Sequence, residues 1–147
     1  VAENSVLASV DSFVKLGFID DGEARKTAEE VNEKLRTKTP SMSQKVRNLS
    51  GGNQQKVVVA RWLIKNSDIF IFDEPTRGID IGAKSEMYTL MDDLVKKGKS
   101  IIMISSELAE IQRVSDRVIV MCEGRITGEL PIEKATQENI MNYAMMR

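Results

Sequence analysis

Residues 1–48 carry apolar positions at helical spacing, and residues 49–147 alternate between helical spacing and short continuous apolar runs. Val6, Val10, Phe13 and Val14 predict a first helix that closes near Gly17. Asp20-Asp21-Gly22 offers a second helix start, after which Ala24, Ala28, Val31 and Leu35 recur with charges between them. Thr39-Pro40 ends this part, because a residue before proline is pushed away from helical geometry.

From Ser50 a helix is expected to about Lys65, with Val57, Ala60 and Ile64 on its inner face. Ile69-Phe70-Ile71-Phe72 has the length and continuity of a strand buried on both faces, as in a parallel sheet. A helix from about Ala83 to Lys96 follows, then a second buried strand at Ile101–Ile104 and a short helix from Glu107 to Val114. Val118–Met121 and Arg125–Leu130 bracket Glu123-Gly124, a hairpin turn signal. The pattern predicts an α/β protein. A helical region, 1–48, precedes a region, 49–147, with a mainly parallel sheet, helices on both faces and an antiparallel edge.

Composition narrows the chemistry. With 21 basic and 22 acidic residues the net charge is -1, so no basic face for nucleic acid is implied. The chain has no histidine, which excludes histidine-based acid–base work and metal ligation within it. Its single cysteine, Cys122, cannot form an internal disulfide and reads as an inert core residue. No apolar stretch approaches the about 20 residues that span a bilayer, and no secretory pattern opens the sequence. A start at Val1 rather than Met fits an excised piece, though initiator processing would give the same result.

Two segments carry candidate chemistry. Ser50-Gly51-Gly52 opens a helix with two residues that let backbone come close to a ligand, and the helix aims its positive end the same way. Ser50 can add a hydroxyl donor, as binding a terminal phosphate requires, and it can also cap the helix; the roles are compatible. Asp73 and Glu74 follow the apolar strand directly. A carboxylate at a strand's C-terminal end can hold Mg²⁺, usually through water, and its neighbour points the other way and can polarise an attacking water. Gly98-Lys99-Ser100 is a decoy. Asp93 stands where a phosphate loop would have its first glycine, and the segment precedes a strand where such a loop follows one. It reads as a helix stop. The sequence contains no Gly-x-x-x-x-Gly-Lys-Ser/Thr loop. Trp62 and the methionines, Met141, Met145 and Met146 among them, read as packing residues.

Leu49–Asn53 resembles the signature motif of ATP-binding cassette (ABC) proteins, with Asn53 where glutamine is commoner. Ile69–Glu74 resembles Walker B, and Gly78-Ile79-Asp80 the D-loop. Together, Leu-Ser-Gly-Gly-Asn-Gln-Gln-Lys and Asp-Glu-Pro-Thr-Arg-Gly-Ile-Asp closely resemble the C-terminal cassette of bacterial monosaccharide importers of the ribose, galactose and xylose type. That resemblance covers essentially the whole chain, from Glu3-Asn4 through the final helix. It implies the C-terminal portion of an ABC nucleotide-binding domain, without the Walker A-containing part. Residues 1–48 would be part of the helical subdomain, and residues 49–147 the signature helix and the Walker B-containing core.

In that family two cassettes close head to tail over two ATP molecules. The resemblance therefore implies that Ser50, Gly51, Gly52 and Asn53 act on nucleotide held by a second cassette. That cassette is the N-terminal half of the same polypeptide or a paired subunit. Asp73 would hold Mg²⁺, Glu74 would be the catalytic carboxylate, and Asp80 would lie at the closure interface. Further implied partners are transmembrane permease subunits and, indirectly, a periplasmic sugar-binding protein, with the ATPase peripheral on the cytoplasmic face of the membrane. Without a phosphate loop, the 147 residues alone are expected neither to bind ATP tightly nor to hydrolyse it. A stand-alone half-cassette acting as a non-catalytic interaction module is the alternative. Soluble ABC relatives in DNA repair or translation fit less well, since their long insertions or basic surfaces are not visible here.

The sequence departs from the wider ABC pattern after Ile101–Ile104, where Ser106 stands at the usual histidine position. Serine is shorter and carries no positive charge, so the site that uses Glu74 is expected to hydrolyse slowly or serve mainly in binding. Ser106→His in the full protein is expected to change ATP turnover; identical rates for the two forms would make the position idle.

Overall fold

Asp20 starts the long N-terminal helix as its sequence predicts, its carboxylate accepting the Glu23 amide at 3.0 Å. In the computed structural model, which describes residues 1–146, this helix is α2, Asp21–Lys34. It follows α1, Ala2–Val6, and a 3₁₀ segment, Leu7–Phe13. Val6, Phe13, Ala24 and Ala28 form a small core, joined by Met42 and by Ile64.

The expected first helix stops short. Beyond Phe13 the chain is extended, and Leu16 and Gly17 take successive positive φ values of 51° and 85°. That pair makes a two-residue turn of the kind that joins twisted strands. It connects β1, Val14–Lys15, to β2, Phe18–Ile19, with Val14 opposite Ile19. Val14 is therefore an exposed strand residue, not part of a helix, and Lys15 braces the hairpin by pairing with Asp20 and Glu23.

Helix α3, Gly51–Ile64, buries Val57, Val59 and Ala60, close to the expected inner face. Strand β3, Ile69–Asp73, leads through a turn to α4, Ile81–Lys96, and on to β4, Ser100–Ile104, which pairs with β3. Gly98, at φ 81°, ends the helix as read, and Lys99 Nζ then bonds Asp68 at 2.9 Å. Phe72, Ile101 and Met103 pack with Val59, Met87 and Met91, so α3 and α4 cover one face of the β3–β4 pair. The other face differs from the expectation of burial on both sides, because Ile69 and Ile71 are 61% and 68% exposed.

These elements belong to one compact unit, Val1–Met103, and a second begins at Ile104. In the second, α5, Leu108–Val114, precedes an antiparallel pair, β5, Arg117–Cys122, and β6, Arg125–Pro131. Glu123 and Gly124 turn the hairpin at φ 48° and 77°, as the sequence predicts. Helix α6, Gln137–Ala144, capped by Thr136, closes the unit by packing its Ile140 with Val118, Val120 and Leu130. The α/β class stands, with the strands grouped in three two-stranded sheets. Among the described residues no helix is long and apolar enough to cross a membrane.

Several expected packing residues are less buried than predicted. Trp62 is half-exposed, as are Met141 and Met146, and Met145 is more so. Cys122 is intermediate rather than core. Hydrophobicity alone does not bury them, because α3 and α6 each present only one face to a core.

One buried cation ties three helices together. Lys56 of α3 is 8% exposed and donates to Glu86 of α4 at 2.7 Å and to the Arg36 carbonyl, just past α2, at 3.1 Å. Its hydrogen bond is the main reason the Glu86 carboxyl is held below its ordinary value of 4.5. A depressed carboxyl favours the folded state above the unfolded value, and that contribution disappears as pH falls through the folded value. Lys56→Met is therefore expected to flatten the loss of stability between about pH 5 and pH 3, read from urea midpoints followed by Trp62 fluorescence. Coinciding acid profiles for the two proteins would show that the pair contributes nothing.

The second unit has its own sensitive contact. A Cβ at Gly128 would lie 2.5 Å from the Tyr143 ring, which packs α6 onto β6. Gly128→Ala is expected to destabilise this unit by about 1–3 kcal/mol, measured by hydrogen exchange of the β5–β6 amides. Unchanged protection would mean that α6 shifts freely.

Candidate functional site

The turn that opens α3 is built without a conventional cap. Ser50 has extended backbone angles, but its hydroxyl makes no capping bond to the helix. Instead Asn53 Nδ2 donates to Ser50 Oγ at 2.8 Å, while Asn53 Oδ1 accepts the Lys38 backbone amide at 2.7 Å. Gln54 reaches back to the Leu49 carbonyl at 2.8 Å, which fixes the entry of the chain. The first amides of a helix have no partner within it, so this end is suited to an anion.

Gly52 is required here for packing as well, whereas Gly51 has room for a methyl group. A Cβ at Gly52 would stand 2.8 Å from Ala83 Cβ, and one at Gly51 would stand 3.5 Å from the Ile79 side chain. The start of α3 thus lies directly on the segment that opens α4. Lys56, one turn further along, bonds Glu86 one turn further along α4. A cleft of about 240 Å³ beside this contact is lined by Arg36, Gly52, Lys56, Ala83 and Glu86. A larger groove of about 690 Å³, between α1, the 3₁₀ segment, α2 and residues 42–47, contains none of the predicted site residues.

The carboxylates arrive from β3. Asp73 is its last residue and is exposed. Glu74 leaves the strand at φ 46°, a left-handed conformation that non-glycine residues adopt at some cost and that is often found at functional turns. Pro75 and Thr76 directly behind it are fully buried, which anchors the turn. Arg77 N donates to the Glu74 carbonyl at 3.2 Å, and Gly78 takes φ 74° to bring the chain round to Ile79 and Asp80. Asp80 then caps α4, its carboxylate accepting the Ala83 amide at 2.9 Å.

One unit therefore gathers Ser50, Gly51, Gly52 and Asn53 against Gly78–Ala83, the segment into which Asp73 and Glu74 lead. Ser106 belongs to the second unit and is exposed. Its neighbour Ser105 donates to the buried Glu110 carboxylate at 2.6 Å and accepts the Glu107 amide at 3.0 Å. Sequence reasoning missed Lys56, Lys38 and Ser105. A lysine inside an otherwise apolar helix face was the available signal for the first, whereas a backbone amide such as that of Lys38 leaves no trace in the sequence.

The ABC transporter family profile matches residues 1–77. Ribose import ATP-binding protein RbsA 1 of Rubrobacter xylanophilus is 52% identical over 145 residues, 98% of this chain and 29% of that protein. Galactose/methyl galactoside import ATP-binding protein MglA of Clostridium tetani is 50% identical over 145 residues, again 98% of this chain and 29% of its own length. The chain thus spans less than a third of the length of these relatives. Among solved structures, a dimeric bacterial ABC transporter cassette aligns with TM-score 0.74 at 26% identity, covering 89% of this chain and 56% of that one. A second ATP-binding cassette of an ABC transporter, at 22% identity and TM-score 0.79, covers 99% of this chain and 62% of its own and supports the fold. With the family profile matched across residues 1–77, the chain belongs to the ABC transporter family.

Proposed function

We propose that the chain is the signature- and Walker B-bearing portion of a C-terminal cassette, in the ATPase subunit of a bacterial monosaccharide importer. The observation that carries this reading is the seating of the Ser50–Asn53 turn on Gly78–Ala83, at the end of the loop that leaves Asp73 and Glu74. The names of the relatives, which are import ATP-binding proteins for ribose and galactose, supply the substrate class. Residues 1–48 are part of the helical subdomain and residues 49–147 the signature helix and α/β core.

The residues fit ATP and Mg²⁺. Gly51 and Gly52 leave bare backbone at the helix start, and the Ser50 hydroxyl is not consumed by capping. No cluster of three or more histidine, cysteine or acidic side chains among the described residues could hold a metal. Asp73 alone suits Mg²⁺, which commonly takes one or two carboxylates together with phosphates and water. When bound, Mg²⁺-ATP supplies the transferable phosphoryl group and the charge neutralisation around it.

Asp73 would hold Mg²⁺ when it is bound, and Glu74 would orient the attacking water and accept its proton at a carboxylate oxygen. Ser50 Oγ and the Gly51 and Gly52 amides donate toward the terminal phosphate of nucleotide carried by a second cassette, with Asn53 beside them. Asp80 stands where the cassettes close. Ser106, in place of histidine, offers a short neutral donor, which weakens hydrolysis at this site. The 147 residues alone bind ATP weakly, because the phosphate loop and its lysine make the principal contacts to the β and γ phosphates. The assembly includes the second cassette, in the same polypeptide or a paired subunit, and transmembrane permease subunits. A periplasmic sugar-binding protein acts through them, and the ATPase is peripheral on the cytoplasmic face of the membrane.

Glu74→Gln in the complete ATPase is expected to lower turnover by about 10²–10⁴-fold, with nucleotide binding retained. Full turnover in that variant would remove Glu74 as the base.

A further inference from the structure

The hydrogen bonds at the start of α3 fix the direction of one proton. The Lys38 backbone N–H can only donate, and it lies 2.7 Å from the Asn53 side chain, so the atom facing it is the carbonyl oxygen Oδ1. The other end of the amide is then the NH₂ group, which faces Ser50 Oγ at 2.8 Å. An amide nitrogen cannot accept, so Ser50 Oγ accepts there and its own O–H points elsewhere. A capping bond would use the same oxygen as an acceptor and could not take up this proton, and in its bond with Asn53 the hydroxyl oxygen likewise only accepts. The proton is available to an outside acceptor at the positive end of the helix.

We propose that Asn53 is a positioning residue that, anchored on the Lys38 amide, holds the Ser50 hydroxyl as a hydrogen-bond donor to the terminal phosphate of ATP. This rests on the phosphate-binding reading above and deepens it: the Asn53 side chain acts through Ser50 rather than on the nucleotide. Both polar ends of the amide are already engaged within the protein.

Aspartate at position 53 is nearly isosteric and reverses the arrangement. A carboxylate accepts from Lys38 as before, but toward Ser50 it can again only accept. The hydroxyl proton then turns to the carboxylate, and oxygen lone pairs face the phosphate. Asn53→Gln keeps the amide's donor end, and Asn53→Ala removes the anchor without adding charge.

The test is Mg²⁺-ATP turnover of the complete ATPase, assembled with its membrane subunits, in these variants and in Ser50→Ala. Ser50→Ala is expected to lose about 10–100-fold, the scale of one hydrogen bond to a charged group. Asn53→Asp is expected to lose at least as much, and Asn53→Gln to stay within about threefold of wild type. Asn53→Ala is expected to cost about three- to tenfold alone and nothing further when combined with Ser50→Ala. A multiplicative loss in that double variant, or equal losses in Asn53→Gln and Asn53→Asp, would overturn the proposal. Full turnover in Ser50→Ala with turnover lost in Glu74→Gln would also overturn it while leaving the ATPase reading in place. Full turnover in both would remove the phosphate-site reading of these residues on which the proposal rests.

Discussion

The contact between Gly52 and Ala83 is the constraint on which the candidate site depends. Two helices can approach this closely only where neither backbone carries a protruding side chain. Here the approach brings the amide end of α3 onto the cap of α4, so two loops distant in sequence form one surface. Lys56 and Glu86 repeat the connection one turn further along, with a charge pair instead of a methyl contact. The two contacts fix both spacing and rotation. A displacement of α4 is therefore transmitted to Ser50, and through Asn53 to the Lys38 loop.

The same surface shows why its residues have double duties. Asp80 caps a helix and Gly52 permits close packing, so each serves folding whatever it does toward a nucleotide. Glu74 is different. Its left-handed backbone is held by the buried Pro75 and Thr76 behind it, an arrangement that spends conformational energy to aim one carboxylate. Local strain of that kind sets stability against function, and it is carried here by a turn rather than by a helix.

Much of this was legible in the sequence, for physical reasons. The α2 start, the α3 inner face, the Gly98 stop and the Glu123-Gly124 turn each rest on local chemistry, which the sequence states directly. The apolar run at Ile69–Phe72 identified a strand but overstated its burial, because continuity of apolar residues does not report which faces find partners. Val14 was misassigned since its spacing from Val6 and Val10 suits a helix, while the turn at Leu16-Gly17 overrides that preference. The Lys38–Asn53–Ser50 chain was invisible because one of its links is a backbone amide. The sequence suggests a phosphate role for Gly51 and Gly52, but their contacts with Ile79 and Ala83 appear only in the tertiary structure.

Each of the two units has buried clusters of its own: those around Phe13 and Ala28, around Leu49 and Val57, and around Val59 and Met87 in the first, and one around Val118, Leu130 and Ile140 in the second. Separate cores can melt as separate cooperative blocks. Trp62, the sole tryptophan, reports on the first block, and Tyr143 sits in the second. Tyr88 also lies in the first block, so a single melting temperature for the chain has thermodynamic meaning only where Trp62 and a probe confined to the second block trace the same curve.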